Sequence, residues 1–289
     1  MPYADLTEYR NQHHHFAIQG HNIAYWQAGE GETVMLIHGF PSAAWDWQRI
    51  WQELSRHYHV VTLDLLGYGL SDKPYPHQYR LMQQADIVEG LVAHLGLSNV
   101  HILAHDYGDS VAQELLSRHY TCDLTWQIPS ICFLNGGLFS EAHRPLFRQK
   151  LLKSFLGPML AKRMNKGSLE KSFNNIFGKQ TPLKAAEIDV LWQLLTHNNG
   201  IRILPAMLKY IDERKVNRDR WVEAMQLSKV PLHFINGVQD PISGQHMVER
   251  YQQLLDKADC ACLPCGHYPH LEMPEKVLEC YLTFRQSLS

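Results

Sequence analysis

The stretch that decides the fold spans residues 101–111 and reads HILAHDYGDSV. Its apolar first half is typical of a buried strand, and the residues from Ser110 onward are typical of a helix. Asp106 lies on the turn between them, and the small residues Ala104 and Gly108 stand two positions before and after it. Small residues there let strand and helix approach closely around a nucleophile on a strained turn. The pattern therefore predicts that Asp106 is the nucleophile of an enzyme with an α/β core.

A carboxylate on this turn, in place of a serine hydroxyl, changes the reaction that the site can catalyse. Asp106 is expected to be an anion at neutral pH, because the ordinary pKa of Asp is about 3.9 and the following helix N-terminus favours negative charge. Attack on an acyl carbon would give only a mixed anhydride. Attack on a saturated carbon with a leaving group gives an alkyl ester, which water can cleave at the carboxyl carbon of Asp106. We therefore expect displacement at an alkyl carbon, and not esterase or peptidase activity.

The water that cleaves this ester needs a general base, and the C-terminal part of the chain supplies one. His267 follows the predicted strand Asp259–Leu263, and Asp240 follows the strand before it, Val230–Ile235. The order nucleophile, acid, histidine is one in which hydrolytic triads occur. We expect His267 to activate the water and Asp240 to hold its tautomer. Three other side chains near the last strand are rivals for these two roles: Asp256, Asp259 and His270.

Other residues are expected to complete the site. The turn His38–Pro41 follows an apolar run and reads HGFP, so the backbone N–H groups of Phe40 and Tyr107 are the expected oxyanion donors. Tyr210 is the only tyrosine between residues 138 and 217 and is the candidate acid for the leaving group. Three further side chains are expected to line the substrate pocket: His38, His105 and Trp192.

Two residues of the turn have interpretations other than a nucleophile. Asp106 could only cap the following helix, and Ser110 is interpreted as a helix-packing residue.

Short apolar runs alternate with amphipathic segments over most of the chain, which is typical of an α/β fold with a mostly parallel sheet flanked by helices. The predicted strands are His15–Ile18, Ile23–Gln27, Thr33–Ile37, His59–Asp64, Val100–Ala104, Gln127–Leu134, Val230–Ile235 and Asp259–Leu263. From about residue 138 to 217 the pattern is helical, with four predicted helices: Pro145–Lys166, Leu169–Phe177, Pro182–Thr196 and Ile201–Arg214. We therefore expect a core of residues 1–137 and 218–289 with a helical cap inserted at 138–217.

These motifs resemble the α/β-hydrolase superfamily over nearly the whole chain. The matching pieces are HGFP (38–41), DLLGYGLSDKP (64–74), AHDYGDS (104–110), NGVQDP (236–241) and GHYPHLEMPE (266–275). Three longer segments are similar to the branch that contains the mesoderm-specific transcript protein: HDYGDSVAQELL (105–116), NGGLFSEAHRPL (135–146) and KYIDERKVNRDRWVEAM (209–225). The aspartate nucleophile resembles that of epoxide hydrolases and haloalkane dehalogenases. The resemblance implies an α/β-hydrolase fold with an inserted helical cap.

The chain departs from both of those enzyme groups. Dehalogenases typically bind halide with a Trp after the nucleophile and an Asn or Trp in the HGxP turn, where this chain has Tyr107 and Phe40. Epoxide hydrolases usually carry two cap tyrosines, whereas this cap has only Tyr210, and the second donor is either missing or replaced by His197 or Trp192. Because one phenol can still donate a proton, we expect hydrolysis of an epoxide. The alternatives are haloalkane dehalogenation and a binding or signalling protein that does not hydrolyse its ligand.

Composition and charge exclude other classes of protein. The 289 residues are 45% hydrophobic and 19% charged, so the chain can bury a large core. The formal net charge of −2 offers no basic surplus for a nucleic acid. We expect a small hydrophobic substrate and water as the partners. The sequence does not determine the oligomeric state.

The basic residues of the cap are interpreted as a solvated helix face. They are Lys150, Lys153, Lys162, Arg163 and Lys166.

Neither a membrane anchor nor a metal is expected. No run approaches the roughly 18 apolar residues of a membrane span, and the opening MPYADLTEYRNQHHHF does not resemble a secretory signal. We therefore expect a cytoplasmic protein without stable membrane insertion, in which the six cysteines are reduced. Cys260, Cys262, Cys265 and His267 superficially resemble a zinc-ligand set. Because zinc sites usually draw ligand pairs from two elements, we expect neither a metal nor a cofactor.

Overall fold

The computed structural model describes residues 5–288, and within that range eight strands form one sheet. The strands are β1 (His14–Ile18), β2 (His21–Ala28), β3 (Thr33–Ile37), β4 (His59–Leu63), β5 (Val100–His105), β6 (Ile131–Leu134), β7 (Leu232–Gly237) and β8 (Cys260–Leu263). Their order across the sheet is β1-β2-β4-β3-β5-β6-β7-β8. β2 is antiparallel to β1 and β4, and every other neighbouring pair is parallel. The expected mostly parallel α/β sheet is confirmed.

Helices connect these strands and form the cap. The α-helices of residues 5–288 are α1 (Leu6–Asn11), α2 (Gln48–His57), α3 (Leu81–His94), α4 (Tyr107–Tyr120), α5 (Phe147–Lys153), α6 (Gly157–Lys162), α7 (Lys166–Asn174), α8 (Ala185–Thr196), α9 (Leu204–Met207), α10 (Tyr210–Val216), α11 (Arg218–Leu227), α12 (Gln245–Leu254), α13 (Pro269–Glu272) and α14 (Pro274–Gln286). Two 3₁₀ segments, Ala44–Trp47 and His197–Ile203, complete the regular structure of that range. The helices α5–α10 all lie between β6 and β7 in the sequence.

The two central strands explain why the site residues meet. Every residue of β3 and β5 is buried, because each strand is paired on both edges and packed on both faces, which favours continuous apolar runs. The strands β3, β5, β6, β7 and β8 are parallel, so their carboxyl ends lie at one edge of the sheet. Functional groups of open parallel sheets gather at that edge. Phe40, Asp106, Asp240 and His267 follow four of these strands and are therefore brought together.

The cap is divided into more helices than the sequence predicts. The predicted helix Pro145–Lys166 is two helices, α5 and α6, since Pro158 has no N–H to continue a helix and instead stands in the first turn of α6. The predicted helix Ile201–Arg214 is part of a 3₁₀ segment followed by α9 and α10, and Pro205 stands in the first turn of α9. The expectation of four cap helices is therefore wrong, and residues 138–217 contain six.

Two predicted strands begin too early, and each has a proline near its start. The strand predicted at Gln127–Leu134 begins only at Ile131, beyond Pro129, although Gln127 forms an isolated bridge to Asn99. The strand predicted at Val230–Ile235 begins at Leu232, directly after Pro231. Proline cannot donate to the ladder and is excluded from such central positions. At its other end β7 runs two residues beyond the predicted strand, to Gly237, close to Asp240.

The helical segment is inserted into the core between β6 and β7. The chain returns to the core at α11, which packs against α4. The division at residues 138–217 stays a prediction, and residues 1–4 and 289 of the predicted core lie outside the described residues. In the described range, no helix has both the length and the apolar character that crossing a bilayer requires.

The close approach of α4 to β3 can be tested with Gly108→Ala. A Cβ at Gly108 would lie 2.2 Å from the carbonyl oxygen of Ile37, so strand and helix would have to separate. We expect the free energy of unfolding to fall by about 1–3 kcal/mol, as is typical of overpacking, measured by urea denaturation.

Gly167→Ala is the matched control, because each glycine is the second residue of its helix. A Cβ at Gly167 meets its nearest neighbour at an ordinary 3.5 Å, so alanine there should be neutral or stabilising. Equal losses for the two substitutions would contradict the close-approach explanation.

Candidate active site

Asp106 occupies the sharp turn between β5 and α4. Its backbone has φ +46° and ψ −100°, a strained conformation for a residue that carries a Cβ. Its side chain makes no cap hydrogen bond to α4, so the alternative of a simple helix N-cap is not supported. Strain of this kind is typical of functional positions, where the surrounding structure holds one side chain in a fixed direction.

The carboxylate of Asp106 is buried, and one of its oxygens accepts a hydrogen bond at the oxyanion turn. The backbone N–H of Phe40 donates to Asp106 Oδ2 at 3.1 Å. Tyr107, the second expected donor, is the first residue of α4, and no hydrogen bond from its N–H to this carboxylate is formed among the described residues. The Phe40 donor is therefore in place in this structure, while a role for Tyr107 stays a prediction.

Arg214, which the sequence analysis did not single out, lies on the other oxygen. Its Nη2 donates to the backbone oxygen of Asp106 at 2.8 Å and to Oδ1 at 3.3 Å. Its Nε donates to the Ser110 hydroxyl at 2.7 Å, so that hydroxyl is engaged with a cation. Arg214 is itself buried, and a buried carboxylate needs such a partner to remain charged.

His267 and Asp240 form the expected acid–histidine pair. His267 Nδ1 lies 2.7 Å from Asp240 Oδ2, and His267 Nε2 lies 3.9 Å from Asp106 Oδ2. The first distance is a hydrogen bond, whereas the second is too long for one and leaves an electrostatic attraction. The structure thus brings together the three residues predicted as the triad, and their catalytic roles stay a prediction.

Asp240 is held by a dense set of donors. Its Oδ1 accepts from the backbone N–H of Ile242 at 2.7 Å, and its Oδ2 accepts from the Ser243 hydroxyl at 2.8 Å and the Asn135 amide at 3.0 Å. Although burial favours the neutral form, the charge of His267 and these hydrogen bonds lower the pKa of Asp240. A fixed carboxylate in turn fixes the orientation of the imidazole.

The two carboxylates keep His267 protonated. Burial, the largest influence, would lower the pKa of His267, but the charges of Asp240 and Asp106 and the hydrogen bond to Asp240 raise it to about 10. The pKa of Asp106 stays well below its ordinary value, because His267 and the Arg214 charge outweigh the effect of burial. At neutral pH the site therefore holds two carboxylates and two cations. His267 becomes a base only when one of the carboxylate charges is removed.

Tyr210 of the cap reaches the site beside Arg214. Its ring lies under the Arg214 guanidinium at 4.6 Å, and it contacts the rings of Tyr107 at 5.0 Å and Phe40 at 5.9 Å between centroids. Burial, followed by the nearby charge of Asp106, raises the pKa of Tyr210. The phenol therefore keeps its proton until a strongly basic oxygen forms next to it.

The three predicted pocket residues differ in their surroundings. His38 is buried with both ring nitrogens in backbone hydrogen bonds, to the Gly39 oxygen at 2.8 Å and from the Leu65 N–H at 3.1 Å, so it supports the turn. His105 is buried below the triad, where its Nε2 lies 2.8 Å from the His267 oxygen. Trp192 is half-buried on α8, and among the described residues its ring does not contact the triad.

The rivals for the roles of His267 and Asp240 do not take part in this pair. His270 is buried against the ring of Trp47 at 4.6 Å between centroids. It forms no hydrogen bond with the carboxylate of Asp106 or of Asp240. The Asp259 carboxylate lies 2.8 Å from His233 Nδ1. Asp256 follows α12, before β8. The geometry thus favours the pairing of His267 with Asp240.

One buried cluster offers metal-ligand atoms. Asp46, His105 and His270 place one ligand atom each within 4.8 Å of one another. A four-coordinate zinc would need these atoms about 3.4 Å apart for bonds of about 2.0–2.1 Å, while a hydrogen-bonded water tolerates about 4.6 Å. The spacing therefore does not select a metal. Among the cysteines of the predicted zinc-like set, Cys262 is exposed and Cys265 is buried.

Two residues of the site were missed, although the sequence carried a signal for each. Arg214 lies four positions after Tyr210, and residues at that spacing share a helix face. Asn135 directly follows the buried strand β6, as Asp240 follows β7, and its amide donates to Asp240. For Arg214 the signal was therefore its spacing from Tyr210, and for Asn135 it was the position of a polar residue just beyond an apolar run.

Replacing Arg214 tests whether it supports the Asp106 charge. Arg214→Met would leave a buried carboxylate without its cation, so we expect a loss of about 3–5 kcal/mol in the free energy of unfolding. Arg218→Met is the matched control, because Arg218 forms a more exposed pair with Glu141 and should cost less than about 1 kcal/mol. Urea denaturation measures both, and equal losses would show that Arg214 does not carry this role.

The raised pKa of His267 predicts a pH dependence of stability. Protonated His267 is stabilised in the folded state, so its contribution is complete below the unfolded pKa of about 6.5 and is lost as pH rises towards about 10. The stability advantage of the native protein over His267→Gln should therefore shrink between pH 6.5 and 10. Urea denaturation across that range measures it. A constant difference would contradict a protonated resting state.

Comparison with known proteins assigns this chain to a family. The family model described as alpha/beta hydrolase fold matches residues 32–274. The chain is 42% identical over 287 residues to the mesoderm-specific transcript protein of Mus musculus, across 94% of this chain and 85% of that protein. It is 33% identical over 119 residues to the soluble epoxide hydrolase of Corynebacterium sp. (strain C12), across 39% of this chain and 41% of that protein.

A solved structure agrees at the level of the fold. The epoxide hydrolase CorEH without ligand superimposes with a TM-score of 0.78 at 21% identity, across 96% of this chain and 99% of that chain. The expected fold and the resemblance to the mesoderm-specific transcript branch are confirmed. With a family model across most of its length and a 42% identical relative, the chain belongs to the α/β-hydrolase family.

Proposed function

We propose that this protein hydrolyses a small hydrophobic epoxide in two steps, through an alkyl ester on Asp106. The observation that carries the proposal is a carboxylate, not a hydroxyl, on the strained turn after β5, bonded to the Phe40 N–H and facing His267. A carboxylate nucleophile suits attack on a saturated carbon, because the ester it forms can be cleaved again by water. The similarity of part of the chain to a soluble epoxide hydrolase supports this choice of substrate class.

In the first step Asp106 Oδ1 attacks an epoxide carbon. A carbon–oxygen bond to Asp106 forms while the carbon–oxygen bond of the strained ring breaks, and the bonding pair goes to the leaving alkoxide. The Tyr210 hydroxyl gives the alkoxide its proton. Arg214, which lies on Oδ1, stabilises the negative charge as it moves from the carboxylate to the alkoxide.

The second step begins when Asp106 has lost its charge. An ester no longer raises the pKa of His267, so the imidazolium can release its proton, through solvent, to the Tyr210 phenolate. Neutral His267 then takes a proton from water as the water attacks the carboxyl carbon of Asp106. The oxyanion forms on Oδ2, where the Phe40 N–H already donates. Collapse of this intermediate breaks the bond between the carboxyl carbon and the substrate oxygen. The leaving alkoxide takes the proton of the new carboxylic acid, so the diol departs, Asp106 is again a carboxylate, and His267 keeps the proton taken from water.

The surroundings of the site suit an apolar substrate. Beside the oxyanion turn, a space of about 10 Å³ between core and cap is bounded by the polar side chains of Ser42 and Lys73 and by apolar ones that include Tyr68, Leu194, Leu195, Leu204 and Met207. This volume is about that of one water, so the cap must move away from the core for a substrate to enter. Apolar linings with a few placed polar groups are typical of small-molecule sites. The substrate would bind with its hydrocarbon part against the cap and its epoxide towards Asp106.

Trapping of the covalent ester tests both catalytic roles. We expect the native protein to convert aryl and alkyl epoxides to diols, and Asp106→Asn to lose this activity by at least a thousandfold, since no other nucleophile replaces it. His267→Gln should form the ester but cleave it slowly, so that intact-protein mass spectrometry detects an adduct on the peptide containing Asp106.

Asp109→Asn is the matched control, three residues along the same helix. Burial and the charge of Asp106 raise the pKa of Asp109 well above its ordinary value, so its charged form is disfavoured, and asparagine keeps the shape of the side chain. This variant should keep near-native turnover. Full activity of Asp106→Asn would overturn the mechanism. Halide release without epoxide turnover would establish a dehalogenase, and a ligand recovered unchanged without any adduct would establish a binding protein.

A further inference from the structure

One segment of the cap carries a charge unlike that of the rest of the chain. Residues 144–184 contain ten Lys and Arg and a single acidic residue, Glu170, which gives a formal net charge of +9. Because the whole chain has a net charge of −2, the remainder carries −11. A concentrated basic segment on an otherwise acidic protein creates a strongly polarised surface.

Most of these cations have no acidic partner. Lys153 pairs with Asp212 and Lys166 with Asp189. The other eight form no ion pair with any described residue: Arg144, Arg148, Lys150, Lys162, Arg163, Lys171, Lys179 and Lys184. Their charge is therefore available to an external anionic surface.

The same segment exposes large apolar side chains. Of the eight large hydrophobic residues that are exposed in the described range, three lie on α5, α6 and the turn between them. Phe147 is 77% exposed and Phe155 is 91% exposed, and Met159 follows on α6. Water-exposed phenylalanines next to unpaired cations are the composition of a surface that lies in a lipid headgroup region.

We propose that α5, α6 and the turn between them form a docking surface for a membrane that contains anionic lipids. The cations attract the lipid phosphates, and Phe147, Phe155 and Met159 enter the boundary between headgroups and acyl chains. Nucleic acids and acidic proteins share the attraction to the cations, but they give the exposed phenylalanines no apolar phase to enter. The binding is peripheral, in agreement with the absence of a spanning helix in residues 5–288.

The position of this surface connects it to the active site. Both α5 and α6 pack against α9, and Leu204 and Met207 of α9 bound the apolar space beside the oxyanion turn. A hydrophobic molecule dissolved in the membrane would therefore reach the cap on the side that leads to Asp106. The docking surface itself does not depend on the proposed reaction, since adsorption requires no turnover.

Vesicle co-sedimentation tests the surface directly. We expect the full chain to bind phosphatidylcholine vesicles that contain phosphatidylglycerol, to bind pure phosphatidylcholine vesicles far less, and to dissociate at high salt. Lys150→Gln/Lys162→Gln/Arg163→Gln should weaken binding about a hundredfold, since each cation near an anionic surface contributes roughly a factor of five. Phe147→Ser/Phe155→Ser should weaken it at least tenfold.

Leu227→Ser/Lys229→Gln is the matched control, because these exposed residues lie at the end of α11 and in the connection to the start of β7, at the opposite edge of the sheet from the cap. It should bind vesicles as the native chain does, and all variants should unfold at the native urea concentration. The proposal fails if no vesicle is bound at low salt, or if the control weakens binding as much as the cap variants. It also fails if heparin binds equally well and the phenylalanine variant has no effect, which would identify a polyanion site.

Discussion

Four buried charges held against one another are the constraint on which this site depends. Asp106 and Asp240 are the carboxylates, His267 is the cation that lies between them, and Arg214 is the cation that pairs with Asp106. Each charge alone would be costly to bury, and together they are stabilised by pairing and hydrogen bonds. Conversion of Asp106 to an ester breaks the balance by leaving two cations against one carboxylate. The pKa of His267 then falls, so His267 can release its proton, and the first step of the proposed reaction prepares the base for the second.

The parallel sheet positions the residues of the site, and the cap supplies the Arg214 cation that balances their charges. Parallel strands deliver Phe40, Asp106, Asp240 and His267 to one edge of the sheet, where the helix after β5 is close enough to hold the nucleophile in a strained conformation. Arg214 belongs to α10, the last cap helix before the chain returns to the core. Any movement of the cap would therefore change the electrostatics of Asp106 as well as access to it.

Much of the core could be predicted from the sequence, since buried parallel strands are continuous apolar runs and nucleophile turns need small flanking residues. The triad followed from chain order because each of its members comes shortly after one of the parallel strands, β5, β7 or β8. Arg214 was missed although it lies four positions after Tyr210, because a run of mixed charges on a helix does not by itself show which residue turns inwards. The cap helices were misjudged because a helical pattern continues across Pro158 and Pro205, where proline starts a new helix instead of extending the old one.

The oxygen that enters the product tests the central claim most directly. With enzyme in excess over an epoxide in ¹⁸O-labelled water, each molecule turns over once, and the diol should receive its new oxygen from the Asp106 carboxylate. We predict an unlabelled diol and a single ¹⁸O atom in the peptide that contains Asp106, because water attacks the carboxyl carbon. Label found in the first-turnover diol, with an unlabelled Asp106, would show that water attacks the substrate itself and would contradict the account.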